Sequence, residues 1–318
     1  MSGTLIDVTV IIATRNRAVT LRHVLDDLAN QQVEGSLRYE VVVADNGSTD
    51  ETAAIVGDVA AHYPVPLRLC HEPTPGKSHA LNRGLAHADG TLLVFTDDDV
   101  VLPPTWLAAL VRAVRDHDAD GAGGPVHPLW ISPRPAWLAD ATLRQLGMVD
   151  HGPDEFVATS TATTLIGPNC AYRKQLFERY GGYLPGFAQD AEWFGRVLTA
   201  GAKLVYQPAA RIAHRIDGAQ LTRRGLARRF LGHGYSYGTR LPVGGRAVCG
   251  VPVWVIRLYA GLHVKALAAW LRGDAAEGWW QWLRRSIYHG VMRARYERWR
   301  GVPVIQPPRV LAMSESRL

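Results

Sequence analysis

Short apolar runs rich in β-branched residues alternate with stretches of helical periodicity through the first 210 residues of this chain. Val8 to Ala13 is too short for a helix and predicts a buried strand, whereas the apolar residues from Leu21 to Leu28 recur at helical spacing. A second Val-rich run, Glu40 to Ala44, predicts another strand that ends at Asp45. Repeated alternation of strand and helix predicts an α/β fold, with a mostly parallel, twisted sheet covered by helices on both faces.

The alternation continues beyond Asp45. We expect a helix to begin near Thr49 and Asp50, with Ser48 or Thr49 as its N-cap. Residues 121–170 are rich in Gly, Pro and Trp, and they are predicted to form a loop-rich cover over the sheet edge. Further strands are predicted at Leu67 to Cys70, Thr91 to Phe95 and Lys203 to Tyr206, and further helices at Lys77 to Ala88 and Thr105 to His117.

The charge distribution divides the chain into two regions. Residues 1–210 contain 24 acidic and 16 basic residues, whereas residues 211–300 contain 4 acidic and 17 basic residues together with six of the ten tryptophans. We therefore predict one domain over residues 1–215 and a basic, Trp-rich, mainly helical region over residues 216–318.

The basic region suits a membrane interface. Basic amphipathic helices that carry Trp bind anionic lipid surfaces, so residues 251–300 are expected to contact such a membrane peripherally. Packing of these helices on the first domain, with their arginines facing water, is the alternative. A basic patch with aromatic residues also fits phosphate backbones, but no nucleic acid partner is expected.

Targeting and redox signals point to the cytoplasmic side of a membrane. The most apolar stretch, Trp254 to Leu271, is interrupted by Arg257, His263 and Lys265, so no transmembrane helix is predicted. The first residues lack the basic and apolar pattern of a signal peptide. Three widely spaced cysteines cannot form a disulfide framework or a four-thiolate zinc site. We expect a cytoplasmic protein, with peripheral association at the inner face of the plasma membrane as a further expectation.

Carboxylates follow two of the predicted strands. Asp45 precedes an Asn-Gly turn, where it could bind a ligand in the crevice or simply close the turn. Phe95 and Thr96 are followed by three successive aspartates, a costly arrangement beside a buried strand unless a cation compensates. Alternation along an extended backbone places Asp97 and Asp99 on one side and Asp98 on the other. Such a pair can hold Mg²⁺ or Mn²⁺, and a solvated acidic loop is the alternative.

Two more candidates lie further along the chain. Asp190 opens a predicted helix that runs to Ala200, where a carboxylate could serve as an N-terminal cap or in catalysis. His214 follows a short strand, and a lone histidine in such a place is either structural or a metal ligand.

These residues stand in motifs that resemble those of family 2 glycosyltransferases with the GT-A fold. The resemblance covers residues 8–215 and rests on five segments in the order and spacing of that family: residues 10–17 (VIIATRNR), 43–50 (VADNGSTD), 76–84 (GKSHALNRG), 95–99 (FTDDD) and 182–190 (GYLPGFAQD). It implies a GT-A type sheet followed by a helical C-terminal region.

The resemblance also implies roles for individual residues. Asp190 matches the catalytic base, Asp99 would bind the metal that bridges the donor diphosphate, and His214 would complete the metal shell. Glu192 and Trp193, next to the base, are weaker candidates for acceptor contact. The expected donor-binding residues are Thr14, Arg15, Asp45, Lys77, Asn82, Asp97 and Asp98, of which Asp45 would accept from the nucleobase and Asp97 would face the ribose or the metal.

Two positions depart from the family pattern. The pair before the helix is commonly Glu-Asp, and this chain has Gln189 and Asp190. The residue before Asn16 is often aromatic, and this chain has Arg15, whose guanidinium plane could stack on a base.

The function that the resemblance implies is metal-dependent, inverting transfer of a sugar from a nucleotide-diphosphate sugar, with a UDP-sugar favoured, to an acceptor hydroxyl. The acceptor would be a glycan, a lipid-linked sugar or a small molecule, in the synthesis of cell-envelope glycan, glycolipid or polysaccharide. One alternative is a sugar nucleotidyltransferase, although the segment from Ala13 to Arg17 lacks the glycines of its phosphate loop. A non-catalytic protein that binds glycan or membrane is the other.

Overall fold

The computed structural model describes residues 6–302 except 164, 166, 187, 188, 242 and 243. Phe187 and Ala188, inside the last of the five motifs, therefore lie outside the described residues. The strands are β1 (Val8–Thr14), β2 (Tyr39–Asp45), β3 (Leu67–His71), β4 (Leu92–Thr96), β5 (Val100–Val101), β6 (Gly121–Gly123), β7 (Val126–Trp130), β8 (Phe156–Val157), β9 (Asn169–Arg173), β10 (Leu204–Tyr206), β11 (Ile212–Ile216), β12 (Ala247–Val248) and β13 (Val251–Pro252).

Nine α-helices are assigned within the same residues: α1 (Ala18–Ala29), α2 (Thr52–Ala60), α3 (Lys77–His87), α4 (Trp106–Asp116), α5 (Lys174–Tyr180), α6 (Gln189–Thr199), α7 (Arg223–Arg240), α8 (Val253–Leu271) and α9 (Ala275–Trp299). Short 3-10 helices cover Asp140–Leu146, Thr161–Thr163 and Gly218–Gln220.

Eight strands form the central sheet in the order β3-β2-β1-β4-β9-β6-β10-β8. The first four strands of that order run parallel, and β9 is antiparallel to both of its neighbours. Strand β1 lies between β2 and β4 in the interior of the sheet, and six of its seven residues are buried, four of them Val or Ile. One core lies between the sheet, α1 and α4, and a second lies under α3, α5 and α6. The predicted mostly parallel α/β sheet is confirmed.

A smaller sheet has the order β5-β11-β7. Its central strand β11 pairs antiparallel with β5, so that His214 lies opposite Val100, and parallel with β7. This pairing brings His214 next to the aspartates that follow β4.

Two predictions about local structure need correction. The helix after β2 begins at Thr52, because the carboxylate of Asp50 accepts from the Thr52 amide at 3.1 Å and from its hydroxyl. Ser48 does not cap that helix, since its hydroxyl donates to Asp45. The predicted cover over residues 121–170 contains two interior strands, β6 and β9. Strand β6 was not predicted because glycine is uncommon in strands. At Gly121, however, a Cβ would lie 2.6 Å from the Ala171 carbonyl oxygen, so the close approach of β9 requires glycine there.

The C-terminal helices α7, α8 and α9 pack mainly on one another, with α9 between the other two. Leu226 and Phe230 of α7 join Leu138, Leu146 and Leu283 in a separate small core. Within the described residues, none of the helices combines the length and the apolar character that crossing a membrane requires.

Candidate active site

Asp97, Asp99 and His214 form a cluster at the end of β4. His214 Nε2 lies 3.3 Å from Asp99 Oδ1 and 3.9 Å from Asp97 Oδ2. The three side chains each offer one ligand atom, and these atoms all lie within 4.8 Å of one another. Two carboxylates and an imidazole at this spacing are a donor set suited to Mn²⁺ or Mg²⁺. We refer to these three residues as the metal cluster.

Two cationic side chains hold the carboxylates of the metal cluster in place. Lys77 Nζ lies 2.5 Å from Asp97 Oδ1, and Arg17 Nη1 lies 3.3 Å from Asp99 Oδ2. Burial alone would lower the pKa of Lys77, but attraction to Asp97 outweighs it and raises the pKa above the ordinary value. Burial would likewise raise the pKa of Asp97, but Lys77 and His214 hold it below the ordinary value. Both groups of the pair are therefore charged at neutral pH.

Asp98 faces the other way, as strand alternation predicts. Its buried carboxylate accepts a hydrogen bond of 2.7 Å from the hydroxyl of Thr14, which is also buried. Burial, followed by repulsion from Asp99, raises the pKa of Asp98 to about 7. The structure thus joins Asp98 and Thr14 to each other beneath the metal cluster. The predicted donor contacts of these two residues stay predictions.

The loops that follow β1 and β2 are bonded to each other near Asp45. Asn16 adopts a left-handed φ of 53°, and its side-chain oxygen accepts from the Thr49 amide at 2.7 Å. Asp45 is buried, and Oδ1 accepts from the Ser48 amide at 3.0 Å while Oδ2 lies 3.5 Å from His71 Nδ1. Arg15, beside this turn, is exposed. The predicted nucleobase contacts of Asp45 and Arg15 stay predictions.

Asp190 lies in the first turn of α6, where the helix dipole favours a negative charge. The Gly167 amide donates to Asp190 Oδ2 at 2.9 Å. Two residues later, at the start of β9, the buried Asn169 accepts from Trp106 Nε1 at 2.8 Å and donates to the carbonyl oxygens of Pro125 and Ala210. A buried polar network therefore holds the loop that orients the carboxylate of Asp190.

Trp193 and Glu192, the weaker candidates for acceptor contact, both have partners within the protein. Trp193 is fully buried and its ring stacks on Phe177 with centroids 4.0 Å apart, so no face of the ring is open to a sugar. Glu192 binds Arg196, with both of its carboxylate oxygens 3.0 Å from guanidinium nitrogens. Arg196 in turn donates to the carbonyl oxygens of Tyr180 and Gly182. Glu192 thus braces the turn that precedes α6.

Asn82 braces the same turn from the other side. Its amide nitrogen donates to the Tyr183 carbonyl oxygen at 2.9 Å, and its carbonyl oxygen accepts from the Tyr183 amide at 2.8 Å. This pairing occupies both ends of the side-chain amide. Asn82 therefore supports the segment that leads to Asp190, and its predicted donor contact stays a prediction.

A cavity of about 960 Å³ opens beside the metal cluster. Among the predicted residues, Lys77, Asp97, Asp190 and His214 line it. The cavity wall also includes α7 residues that the sequence reasoning missed, namely Arg228, Arg229, His233 and Tyr237. The sequence feature that points to these residues is the basic composition of residues 211–300, but composition alone does not identify which arginines face the site.

The titratable side chains on α7 interact electrostatically with the carboxylates of the site. Arg229 keeps an exposed surface, but desolvation at the cavity wall lowers its pKa below the ordinary value, although Asp97, Asp190 and Asp99 attract its charge. Burial, and then repulsion from Arg229, lowers the pKa of His233 to about 4, so this imidazole is neutral at pH 7. His233 Nδ1 lies 2.8 Å from Gln145 Oε1. The cavity therefore has one wall of carboxylates and another of arginines.

Sequence comparisons agree with the geometry of this site. The family model described as glycosyl transferase family 2 matches residues 9–181. The succinoglycan biosynthesis protein ExoM of Rhizobium meliloti is 25% identical over 226 residues, which are 71% of this chain and 72% of that protein. The glycosyltransferase AglE of Haloferax volcanii is 26% identical over 280 residues, which are 85% of this chain and 82% of that protein.

Solved structures share the fold. A mannosyltransferase from Pyrobaculum calidifontis, PcManGT, solved with GDP-Man and Mn²⁺, superposes with a TM-score of 0.61 at 23% identity, over 91% of this chain and 86% of that one. Residues 1–349 of S. aureus TarS, solved with UDP-GlcNAc, superpose with a TM-score of 0.54 at 15% identity, over 90% of this chain and 92% of that one.

Proposed function

The chain belongs to glycosyl transferase family 2 and is a glycosyltransferase, and from that membership we propose that it moves a sugar from a nucleotide-diphosphate sugar to an acceptor hydroxyl. The proposed reaction is metal-dependent and inverts the anomeric configuration. The observation that carries this proposal is that one cavity is lined by Asp97 and His214 of the metal cluster and by the candidate base Asp190.

The donor set of the metal cluster fits a divalent cation. Asp97, Asp99 and His214 supply two oxygens and one nitrogen within 4.8 Å of one another, and their partly buried position favours a bound cation over solvated carboxylates. A cation bound there would act as a Lewis acid that stabilises the negative charge on the leaving diphosphate. Lys77 lowers the pKa of Asp97, and the ion pairs that Arg17 and Lys77 make orient the carboxylates of Asp99 and Asp97 for that role.

Asp190 is the proposed general base. It stands in the first turn of α6 and accepts from the Gly167 amide, and this hydrogen bond orients the carboxylate that would take the proton. The acceptor hydroxyl would lose its proton to this carboxylate while its oxygen forms the new bond to the anomeric carbon and the bond to the diphosphate breaks. Because the acceptor attacks in one displacement, without a covalent enzyme intermediate, the configuration inverts.

Which nucleotide the donor sugar carries is also a proposal. A UDP-sugar was favoured from the sequence, and one structural neighbour was solved with UDP-GlcNAc. Another neighbour was solved with GDP-Man, so a GDP-sugar is the competing donor. Thr14, Arg15, Asp45 and Lys77 are the residues on which the proposed donor contacts depend, although the Thr14 side chain would need to leave Asp98 to make one.

A panel of nucleotides tests this proposal. Thermal unfolding would be followed with UDP-, GDP-, dTDP- and CMP-sugars, each with and without Mn²⁺. A ligand that binds the folded protein at a hundredfold excess over its Kd stabilises it by about 2.7 kcal/mol. We expect one nucleotide class to raise the midpoint, and only with the metal. If no nucleotide sugar raises the thermal unfolding midpoint above that of the protein alone, the result would contradict the proposal and favour a non-catalytic protein that binds glycan or membrane.

The solvent face of α8 supports peripheral binding at the inner face of an anionic plasma membrane. This helix contains no acidic residue. Its exposed side chains include Trp254, Leu258, Val264, Leu267 and Leu271, with Arg257 and Lys265 among them. An exposed apolar stripe that carries basic side chains is complementary to anionic lipid. The domain boundary near residue 215 would then separate a catalytic unit from its membrane contact.

Flotation with lipid vesicles tests the membrane contact. V264E should reduce binding to vesicles of phosphatidylcholine with phosphatidylserine, because it places a charge on the apolar stripe. V19E on α1 is the matched control, since Val19 is 71% exposed and Val264 is 68% exposed. Equal flotation of both variants and the unaltered protein would show that α8 does not contact lipid.

A further inference from the structure

One face of α7 forms a wall of the cavity. Gly225, Arg228, Arg229, His233 and Tyr237 line the cavity and recur at the three- and four-residue spacing of a single helix face. Packing on α9 holds that face in position. A Cβ at Gly234 would lie 1.8 Å from the Ile287 carbonyl oxygen, and one at Gly290 would lie 2.1 Å from the Leu231 carbonyl oxygen. Because the backbones of α7 and α9 touch, α7 cannot rotate freely, and this face of the helix stays directed at the cavity.

Arg228 and Arg229 are adjacent on this face. Among the residues that the structure describes, neither the Arg228 nor the Arg229 guanidinium makes a hydrogen bond or an ion pair of the kind that binds Arg17 to Asp99. A guanidinium presents several donors in a planar fork that matches phosphate oxygens. A pair of such groups at a cavity wall is arranged to bind an anion.

The charge of the described cavity wall indicates the charge of that anion. Lys77, Arg144, Arg228 and Arg229 are its cations, and Asp97 and Asp190 are its carboxylates, with His233 neutral at pH 7. Lys77 is paired with Asp97. Two positive charges are therefore left without a counter-charge, and a phosphate monoester or a diphosphate would supply two negative charges.

The arginines lie on the acceptor side of the site. Thr14, Arg15 and Asp45, the residues expected near the nucleoside, are absent from the described cavity wall, whereas Asp190 is part of it. Lys77 and Asp97, which are expected to contact the donor, line the cavity together with Asp190, so the donor diphosphate would occupy one end of it. An acceptor must place its hydroxyl at the base Asp190, so the remainder of the cavity is where the acceptor would bind. This step rests on the proposed function, because it takes Asp190 as the base.

We propose that Arg228 and Arg229 bind a phosphate group carried by the acceptor. The acceptor class is therefore a phosphorylated one, either a soluble glycosyl phosphate or a sugar attached to a lipid phosphate. The two sources share the same chemistry at the arginines and differ in whether an apolar chain must reach a membrane.

Calorimetric titration with α-D-glucose 1-phosphate as the probe tests the proposal, with methyl α-D-glucoside as its uncharged counterpart. The full chain would first be saturated with Mn²⁺ and the nucleoside diphosphate identified by the thermal panel, so that the donor site is occupied. We expect only the phosphate to bind. R228Q and R229Q should each weaken its binding by about tenfold or more, because each removes charge-assisted hydrogen bonds. R224Q is the control, since Arg224 is exposed on the same helix outside the described cavity wall.

Vesicles of phosphatidylcholine with polyprenyl phosphate distinguish the two sources. Flotation that R228Q or R229Q reduces supports a lipid-linked acceptor, and binding of the soluble probe alone supports a soluble one. Unchanged phosphate binding in both variants would overturn the proposal, as would equal loss of nucleotide binding, which would assign the arginines to the donor. If the unaltered protein binds no nucleotide, the proposed function fails, and the same titration on the free protein still decides whether the arginines bind phosphate.

Discussion

The contact between α7 and α9 leads to a prediction in which one kind of substitution has opposite effects at two sites. Ala replaces Gly234 of α7 in one variant and Gly261 of α8 in the other. A Cβ at Gly261 meets nothing within 4 Å, whereas a Cβ at Gly234 would lie 1.8 Å from the Ile287 carbonyl oxygen. Since both glycines lie inside helices, the gain in helix propensity, about 1 kcal/mol, is the same for both.

The structure provides the magnitude of the difference. Ordinary Cβ contacts lie at 3.4 Å or beyond, so α7 and α9 would have to separate by roughly 1.5 Å to admit the methyl group, and overpacking of this kind costs about 3 kcal/mol. G261A should therefore stabilise the protein by about 1 kcal/mol, and G234A should destabilise it by about 2 kcal/mol. Separation would also disturb the contact at Gly238, where a Cβ would lie 2.8 Å from Val291 Cα.

Urea unfolding followed by tryptophan fluorescence measures both free energies, because tryptophans lie on α8 and α9. Titration of each variant with glucose 1-phosphate adds a functional measurement, since the helix contact positions Arg228 and Arg229. We expect G234A to weaken phosphate binding and G261A to leave it unchanged. Equal stabilisation by the two substitutions would refute the argument that close helix packing positions the cavity wall.

Three further predictions follow from the site. H214A should abolish the metal-dependent part of the stabilisation by nucleotide, about 2.7 kcal/mol at a hundredfold excess, and a metal-dependent shift that persists in thermal unfolding of H214A would contradict the metal cluster. His233 should titrate at about pH 4 in NMR spectra and at a higher pH in R229Q. Because the unfolded state takes up that proton at a higher pH than the folded state, the free energy of unfolding should decrease as the pH falls from about 6.5 to 4. An unchanged pKa of His233 in R229Q would contradict the repulsion between Arg229 and His233. W106F leaves the buried Oδ1 of Asn169 without its indole donor, so urea unfolding should show a loss of about 1–3 kcal/mol, and an unchanged stability would show that the network is not needed.

The sequence predicts the elements whose burial pattern is simple. Strand β1 is apolar at nearly every position because both of its faces are covered, and that composition is visible without a structure. The opposite orientations of Asp97 and Asp98 follow from the period of two in extended backbone. Strand β6 escaped prediction because the reason for its glycines lies in β9, almost 50 residues away.

Site residues that depend on tertiary contacts are harder to identify. His214 reaches Asp99 through the pairing of β11 with β5, and nothing local to either strand specifies that register. Trp193 resembles a sugar-stacking residue in sequence, but Phe177, from another helix, covers its ring. Arg228 and Arg229 belong to a helix with many arginines, and only the packing of α7 on α9 determines which of them face the cavity.

The most direct test of the central claim compares the unaltered protein with D190N. The assay measures release of nucleoside diphosphate from the preferred nucleotide sugar with Mn²⁺, together with binding of the same nucleotide. Asn keeps an oxygen that can accept from the Gly167 amide and removes the base. The account predicts that D190N binds nucleotide and metal normally but turns over at least about a hundredfold more slowly. Turnover by D190N at the rate of the unaltered protein would contradict the assignment of Asp190 as the catalytic base.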